Sequence, residues 1–478
     1  MPPLFSRDEK RLLGGLAIVT ACSWGRYLAT GSLKVDQSYP ARSVGYAILV
    51  VLVLGWAVAV LGWRGLLAAP PAHPRRTAFA ALGIAGFMLP MLSNDVFSVL
   101  SYGSVAAAGH DVYGTVAWLP GSPFYRYVGE RWSETACMYG PTTLIAALPA
   151  RLAGENAWAG LAILRVAWFV PLALTMELSL RRLRDQPFFH AMVWLNPLWI
   201  VEGPGQLHAD LLGLVAVTAG IVLLGAGKLR SGFALYAAAV LGKYTFSPAG
   251  LWFWLSGDCG DARRSARLAG RLATMVAVFA VVAIALYFPF WVGPITITGP
   301  LRGLARMNPG GSITEVLGIL VEYLRHGSVT PPDMSVQAAL ALDRASKEQT
   351  WHVVEWITRV VFLVVAARVL PAMLRKGADP KTIALGTGVL TVALLTIAGH
   401  RFQAWYLPAA LPFFGLACTA VWRRWWTVIV AVAVPVDFAC VLERSSAAYP
   451  AWGAVTTGAQ VIVFVLWFRA RYLRLPDA

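Results

Sequence analysis

The chain has 478 residues, of which 58% are hydrophobic and 13% charged, with a mean hydropathy of +0.62. Soluble domains carry about 25% charged residues, so a water-soluble globular protein is excluded. The net charge of +16 does not indicate nucleic acid, because Arg and Lys fall in short loops between apolar runs and leave no separate basic stripe.

A bilayer core about 30 Å thick takes about 20 apolar residues per helical span. Runs at 12–30 and 44–63 read as the first two spans, the first of them retained rather than cleaved as a leader. Lys10 and Arg11 precede this pair, and Arg64, Arg75 and Arg76 follow it. Basic loops face the cytoplasm, so the N-terminus is expected there. A third span over 77–92 then runs outward and delivers Asn94 and Asp95 to the outer face. Residues 94–139 read as an exterior loop, and 141–180 must return the chain to Arg181, Arg182 and Arg184. The stretch NPLWIVEGPGQLHAD (196–210) reads as a polar outer turn between two spans.

Lys228 and Arg230 on one side, and Arg263, Arg264, Arg267 and Arg271 on the other, both belong inside. Between them lies one apolar run, FALYAAAVLGKYTFSPAGLWFWL, too short for two full crossings. Two short helices that enter, turn at 242–248 and return fit it. Irregular backbone at membrane depth is tolerated only against protein or a wet cavity, so Lys243 is expected to face one. Further spans at 272–292, 353–374 and 428–441 bracket an exterior loop at 294–349 and a tight outer hairpin at 400–403. The expected fold is an all-α polytopic membrane protein of about 12–14 membrane segments with long exterior loops and one broken re-entrant hairpin. Its expected parts are two N-terminal spans (1–76), a catalytic membrane module (77–293), an exterior loop (294–350), and C-terminal spans that complete the cavity (351–478). The five cysteines form no CxxC or Cys/His cluster, so neither a structural zinc site nor a structural disulfide is expected.

Four polar groups share the outer side. They are Asn94 with Asp95; Glu202, Gln206, His208 and Asp210; Lys243; and His400 with Arg401, beside Trp405 and Tyr406. Each has a plain structural explanation as an interfacial residue or a polar turn. Ionisable groups at membrane depth nevertheless mark function by default. Cations suit a phosphate, and a carboxylate suits a base that takes a proton from a hydroxyl. A carboxylate beside cations, open to lipid on the side where nucleotide sugars are generally lacking, points to glycosyl transfer from a lipid-linked sugar. Asp95, Asp111, Glu202, His208 and Asp210 also have the oxygen-rich chemistry of a divalent-cation site. A hydrogen-bonded polar cluster is the simpler reading, so no metal or other cofactor is expected.

The segments SNDVFSVLSYGSVAAAGHDVY, MYGP, NPLWIVEGPGQLHAD, AAAVLGKYTFSPA and GHRFQAWYLPAALP occur in this order over residues 77–422. Together they resemble the bacterial polyprenol-phosphate-mannose-dependent α-1,6-mannosyltransferases of the GT-C superfamily. The resemblance implies a GT-C-like helical bundle with an outward-facing active site. It implies Asp95 as the catalytic acid/base, and Lys243 with His400 or Arg401 near the lipid phosphate. It further implies substrate contacts from Asn94, Tyr102, Asp111, Tyr113, Tyr139, Glu202, Gln206, His208, Asp210, Trp405 and Tyr406. The partners implied are a polyprenyl-phosphate-linked sugar donor, a glycan or glycolipid acceptor and the bilayer. The chain departs from the family where it has His208-Ala209-Asp210 for His-Asn-Asp, and Asp111-Val112-Tyr113 for Asp-Pro-Tyr. Two rival readings stay open. One is a transporter or flippase of a lipid-linked sugar, though only one broken hairpin is visible where paired repeats are usual. The other is a ligase that moves a whole oligosaccharide.

Overall fold

The computed structural model describes residues 4–35, 39–256, 264–305, 317, 321, 336–375, 379–398, 403–417 and 420–442. Among these residues there is no strand, and the helices of thirteen residues or more are numbered here. They are α1 (Arg7–Thr30), α2 (Arg42–Ala68), α3 (Pro74–Gly86), α4 (Asp95–Ala107), α5 (Ala157–Arg182) and α6 (Asp210–Gly225). They continue with α7 (Leu229–Gly242), α8 (Arg264–Tyr287), α9 (Val336–Leu374), α10 (Pro380–Ala393) and α11 (Ala420–Leu442).

The chain is an all-α membrane protein. Among the described residues, six segments are long and apolar enough to cross a bilayer: α1, α2, α5, Ser265–Phe290, Val353–Leu374 and Pro380–Ala398. A pair bent by 117°, Pro197–Gly205 with Asp210–Gly225, makes a seventh if counted as one span. Among the described residues full-length spans are thus fewer than the 12–14 segments expected of the chain, and part of the apolar sequence is folded in shorter pieces such as Leu229–Gly242 and Trp405–Ala417.

α1 starts at a capping box, in which the Glu9 carboxylate accepts from the Ser6 N–H at 2.7 Å and the Ser6 hydroxyl accepts from the Glu9 N–H at 3.3 Å. It packs closely on α2, and a Cβ added at Gly15 would collide with the backbone of Ala59. Lipid gives helices no hydrophobic drive to associate, so such small-residue contacts carry the packing. The Trp56 indole donates to the Val430 carbonyl at 2.9 Å and ties α2 to α11 across most of the sequence.

The third crossing differs from the expected helix over 77–92. Helix α3 stops at Gly86, and thirteen residues at 1.5 Å each reach only about 20 Å. Residues 87–94 complete the path without helix. Thr77 meets Glu9 at one end of α1, and the Trp24 indole donates to the Phe87 carbonyl at 2.8 Å further along, so the segment runs parallel to α1. Its backbone is then bonded by side chains. The Leu89 N–H reaches the Ser23 hydroxyl at 3.0 Å, and Arg165 donates to the Met88 carbonyl. Gln206 accepts from the Met91 and Leu92 N–H groups at 2.7 and 3.0 Å, and donates to the Leu89 carbonyl at 3.2 Å. This is the condition under which non-helical backbone can persist at membrane depth.

Candidate active site

The segment before α6 sets the geometry. Asn196 caps the short helix Pro197–Ile200 by accepting from the Leu198 and Trp199 N–H groups at 3.0 and 3.4 Å. The chain widens into a π turn over Val201–Gly205, which contains Pro204, and Leu207 then adopts φ 57°. A non-glycine residue in that left-handed region stores about 1–3 kcal/mol of strain, tolerated where the surroundings fix it. The result turns Glu202, Gln206, His208 and Asp210 inward, each at most 1% exposed. The expected outer polar turn is therefore a buried bend.

One charged pair and one polar contact lie there. Asp210 pairs with Lys243, whose ammonium also sits 4.2 Å from the centre of the Tyr406 ring. His208 Nδ1 lies 3.1 Å from Glu202 Oε2, at ion-pair distance without hydrogen-bond alignment, and its ring packs on Trp405 at 4.2 Å. Lys243 occupies an extended residue (φ −156°, ψ 125°) between α7 and a short 3-10 turn, Tyr244–Phe246, with the helix Ala249–Leu255 beyond. This matches the broken hairpin expected at 242–248. The end of α7 is clamped by the segment after Tyr139. The Gly140 N–H donates to the Gly242 carbonyl at 3.1 Å, Thr143 Oγ1 donates to the same carbonyl at 3.2 Å, and Thr142 Oγ1 donates to the Ala238 carbonyl at 2.8 Å. A Cβ at Gly140 would run into the Leu241 carbonyl oxygen.

Asp95 opens α4, with its N–H donated to the Ser93 hydroxyl at 3.1 Å. It is neither fully buried nor fully exposed. Its carboxylate acts electrostatically on Glu202, His208 and Asp210, and on Tyr102 and Tyr139. Tyr102 donates to the Thr135 carbonyl at 2.5 Å, and its ring meets that of Tyr139 edge-on at 6.3 Å. Desolvation by the surrounding protein pushes the Tyr139 phenol well above its ordinary value, and Asp95 adds to the effect. Tyr139 therefore stays a hydrogen-bond donor.

The residues expected in the site thus divide. Asp95, Glu202, His208, Asp210, Lys243, Trp405 and Tyr406 converge, with Tyr102 and Tyr139 alongside. Asn94 accepts from the Val35 N–H at 2.7 Å, and Gln206 is engaged by residues 89–92, so both hold the Asp95 turn in place. Asp111 accepts from the Tyr113 and Gly114 N–H groups at 2.8 and 3.0 Å and shapes its loop. Tyr113 is buried in a neighbouring apolar cluster, its ring 6.3 Å from that of Tyr287. His400 and Arg401 lie outside the described residues. Among the described residues, no three His, Cys, Asp or Glu side chains converge as a metal site.

Sequence reasoning missed Arg165, Asp437, Thr142 and Thr143. Arg165 lies in α5 and reaches both the Met88 carbonyl and, at 3.4 Å, the Gly205 carbonyl, bridging the Asp95 approach to the π turn. Asp437 of α11 acts electrostatically on Glu202. Both are charges inside apolar helices, a signal visible in the sequence.

A bundle with these elements and this polar cluster at one end is a polytopic membrane protein with the makings of an enzyme site. The model of the family described as "Alpha-(1->6)-mannopyranosyltransferase, N-terminal domain" matches residues 12–257, and the chain belongs to that family. The match takes in Asp95, Glu202, His208, Asp210 and Lys243. Alpha-(1->6)-mannopyranosyltransferase A of Mycobacterium tuberculosis is 26% identical over 390 residues, covering 77% of this chain and 70% of that protein. The protein of the same name from Corynebacterium glutamicum is 29% identical over 176 residues, 36% of each chain. Alpha-(1->6)-mannopyranosyltransferase B of that bacterium is 29% identical over 223 residues, 41% of this chain and 36% of its own length. No solved structure matches the chain.

Proposed function

We propose that the protein is a mannosyltransferase that moves a mannosyl group from a polyprenyl-phosphate donor to a glycan or glycolipid hydroxyl at the outer face of the membrane. The observation that carries this reading is the convergence of the Asp95 carboxylate with the Asp210–Lys243 pair at one end of the bundle. Asp95 takes the proton of the acceptor hydroxyl. The oxygen attacks the anomeric carbon, the bond from that carbon to the phosphate oxygen breaks, and polyprenyl phosphate leaves. A single displacement inverts the anomeric centre, giving an α product from a β-linked donor. Lys243 neutralises charge developing on the departing phosphate, in a setting where fixed charges act strongly. Asp210 and the Tyr406 ring hold the ammonium in place, and Glu202 and His208 border the sugar. The names of the relatives support mannose and an α-(1→6) linkage.

The test is transfer from radiolabelled polyprenyl-phosphate-mannose by purified protein, wild type beside Asp95→Asn. Wild type is expected to label the acceptor, and the variant to be about 10²–10⁴-fold slower, the usual contribution of a positioned base. An Asp95→Asn protein that folds and transfers at the wild-type rate removes Asp95 from the chemistry. Movement of the donor across liposomes, without transfer to any acceptor, replaces the enzyme by a flippase.

A further inference from the structure

A second polar site lies at the end of the bundle away from Asp95. There the starts of α1 and α3 meet the end of α5, as the Glu9–Thr77 contact and the stacking of Trp158 on Trp24 at the opposite end require. A cavity of about 840 Å³ opens between the start of α3 and the end of α5, lined by Arg75, Arg76, Arg181 and Arg184 against one carboxylate, Glu177. Glu177 is shared between Arg75 Nε at 2.8 Å and Arg181 Nε at 2.5 Å, while Arg184 has only a 3.7 Å contact to the exposed Asp185. The cluster therefore keeps a positive excess.

Three buried polar atoms of cavity-lining residues lack a hydrogen-bond partner: Arg76 Nε, His190 Nδ1 and Glu177 Oε2, and of these Glu177 Oε2 still has its ion-pair contact to Arg75. His190 is 1% exposed, and its Nε2 donates to the Leu183 carbonyl at 2.9 Å. That bond places the proton on Nε2 and leaves Nδ1 as a bare acceptor. A ligand that satisfies this cavity brings an anion for the guanidinium groups and a hydroxyl for the imidazole.

The surface beside the cavity identifies the rest of the ligand. On α5, Val166, Val170 and Leu174 are 65%, 54% and 67% exposed. Spaced by four residues, they form one stripe along the helix, and the next positions on that stripe are Glu177 and Arg181. An apolar track thus leads from the lipid-facing side of α5 into the basic cavity. We propose that this cavity binds the headgroup of an anionic, hydroxyl-bearing phospholipid of the phosphatidylglycerol type, with an acyl chain along Val166, Val170 and Leu174. A free phosphate ester offers the same headgroup chemistry and makes no use of the stripe. Basic pockets between membrane helices are suited to such lipids.

The test is native mass spectrometry of the full chain released from phosphatidylcholine nanodiscs doped with phosphatidylglycerol, or with phosphatidylmethanol, which has the charge without the hydroxyls. Wild type is expected to retain phosphatidylglycerol over both other lipids. Arg184→Gln is expected to lower retention about fivefold, the usual effect of one basic residue at an anionic lipid surface. Glu177→Gln frees Arg75 and Arg181 and raises retention, a gain that a misfolded variant could not give. His190→Phe removes the preference for phosphatidylglycerol over phosphatidylmethanol. Equal retention of phosphatidylglycerol and phosphatidylcholine by wild type and Glu177→Gln overturns the site. Displacement of the lipid by inorganic phosphate alone overturns the lipid assignment in favour of a soluble anion.

Discussion

The Asp210–Lys243 pair shows how closely charge and stability are bound together at single residues. With Asp210 1% exposed, neither partner can be removed alone without leaving the other in a poorly solvating place, at a cost of about 3–5 kcal/mol. Lys243→Met is therefore expected to lower the melting temperature in detergent and to abolish transfer. Adding Asp210→Asn to it should recover most of the melting temperature and none of the transfer. Full recovery of both would reduce the pair to a structural role. Much at this scale was legible in the sequence, because Asp95, Glu202, His208, Asp210 and Lys243 are polar groups in apolar surroundings. What was not legible is the division of labour among them. Nothing in the string distinguishes Gln206, whose amide is engaged by residues 89–92, from His208 two positions on, because that depends on a π turn and a left-handed Leu207.

At the scale of elements, the long spans follow from unbroken apolar runs, and α1 and α2 lie close to where those runs place them. The broken hairpin at Lys243 was equally readable, since a lysine and a proline within one apolar run leave few other arrangements. The third crossing was not. Its sequence is apolar enough for a helix, and only the neighbours that bond residues 87–92 reveal that none forms there. Two predictions belong here. Gly140→Ala forces the segment after Tyr139 off the end of α7, so it should cut transfer strongly through a misplaced Lys243 while the protein still inserts; unchanged kinetics would show that this clamp does not position the lysine. Arg165→Leu removes the donor to the Met88 and Gly205 carbonyls. It should reduce turnover and thermal stability together, by about 1–3 kcal/mol for the unmet carbonyls. A variant with wild-type melting and wild-type turnover would mean that the Asp95 approach holds itself.

Taken as a whole, the molecule assembles its polar centre from distant parts of the chain. Trp405 and Tyr406 cover His208 and Lys243, and Asp437 of α11 acts electrostatically on Glu202. A chain cut after residue 257, where the family match ends, should insert in membranes and show no transfer; activity in that piece would make the later segments dispensable. The non-helical third crossing carries a consequence for how the protein is made. Met91 depends on Gln206, 115 residues further along. At about 5–20 residues per second, a ribosome takes on the order of ten seconds to supply that amide. Over that interval the Asp95 approach has left the tunnel with its backbone unmatched, and it needs shelter from lipid. The third crossing therefore cannot take its final form until the bend around Leu207 has been made.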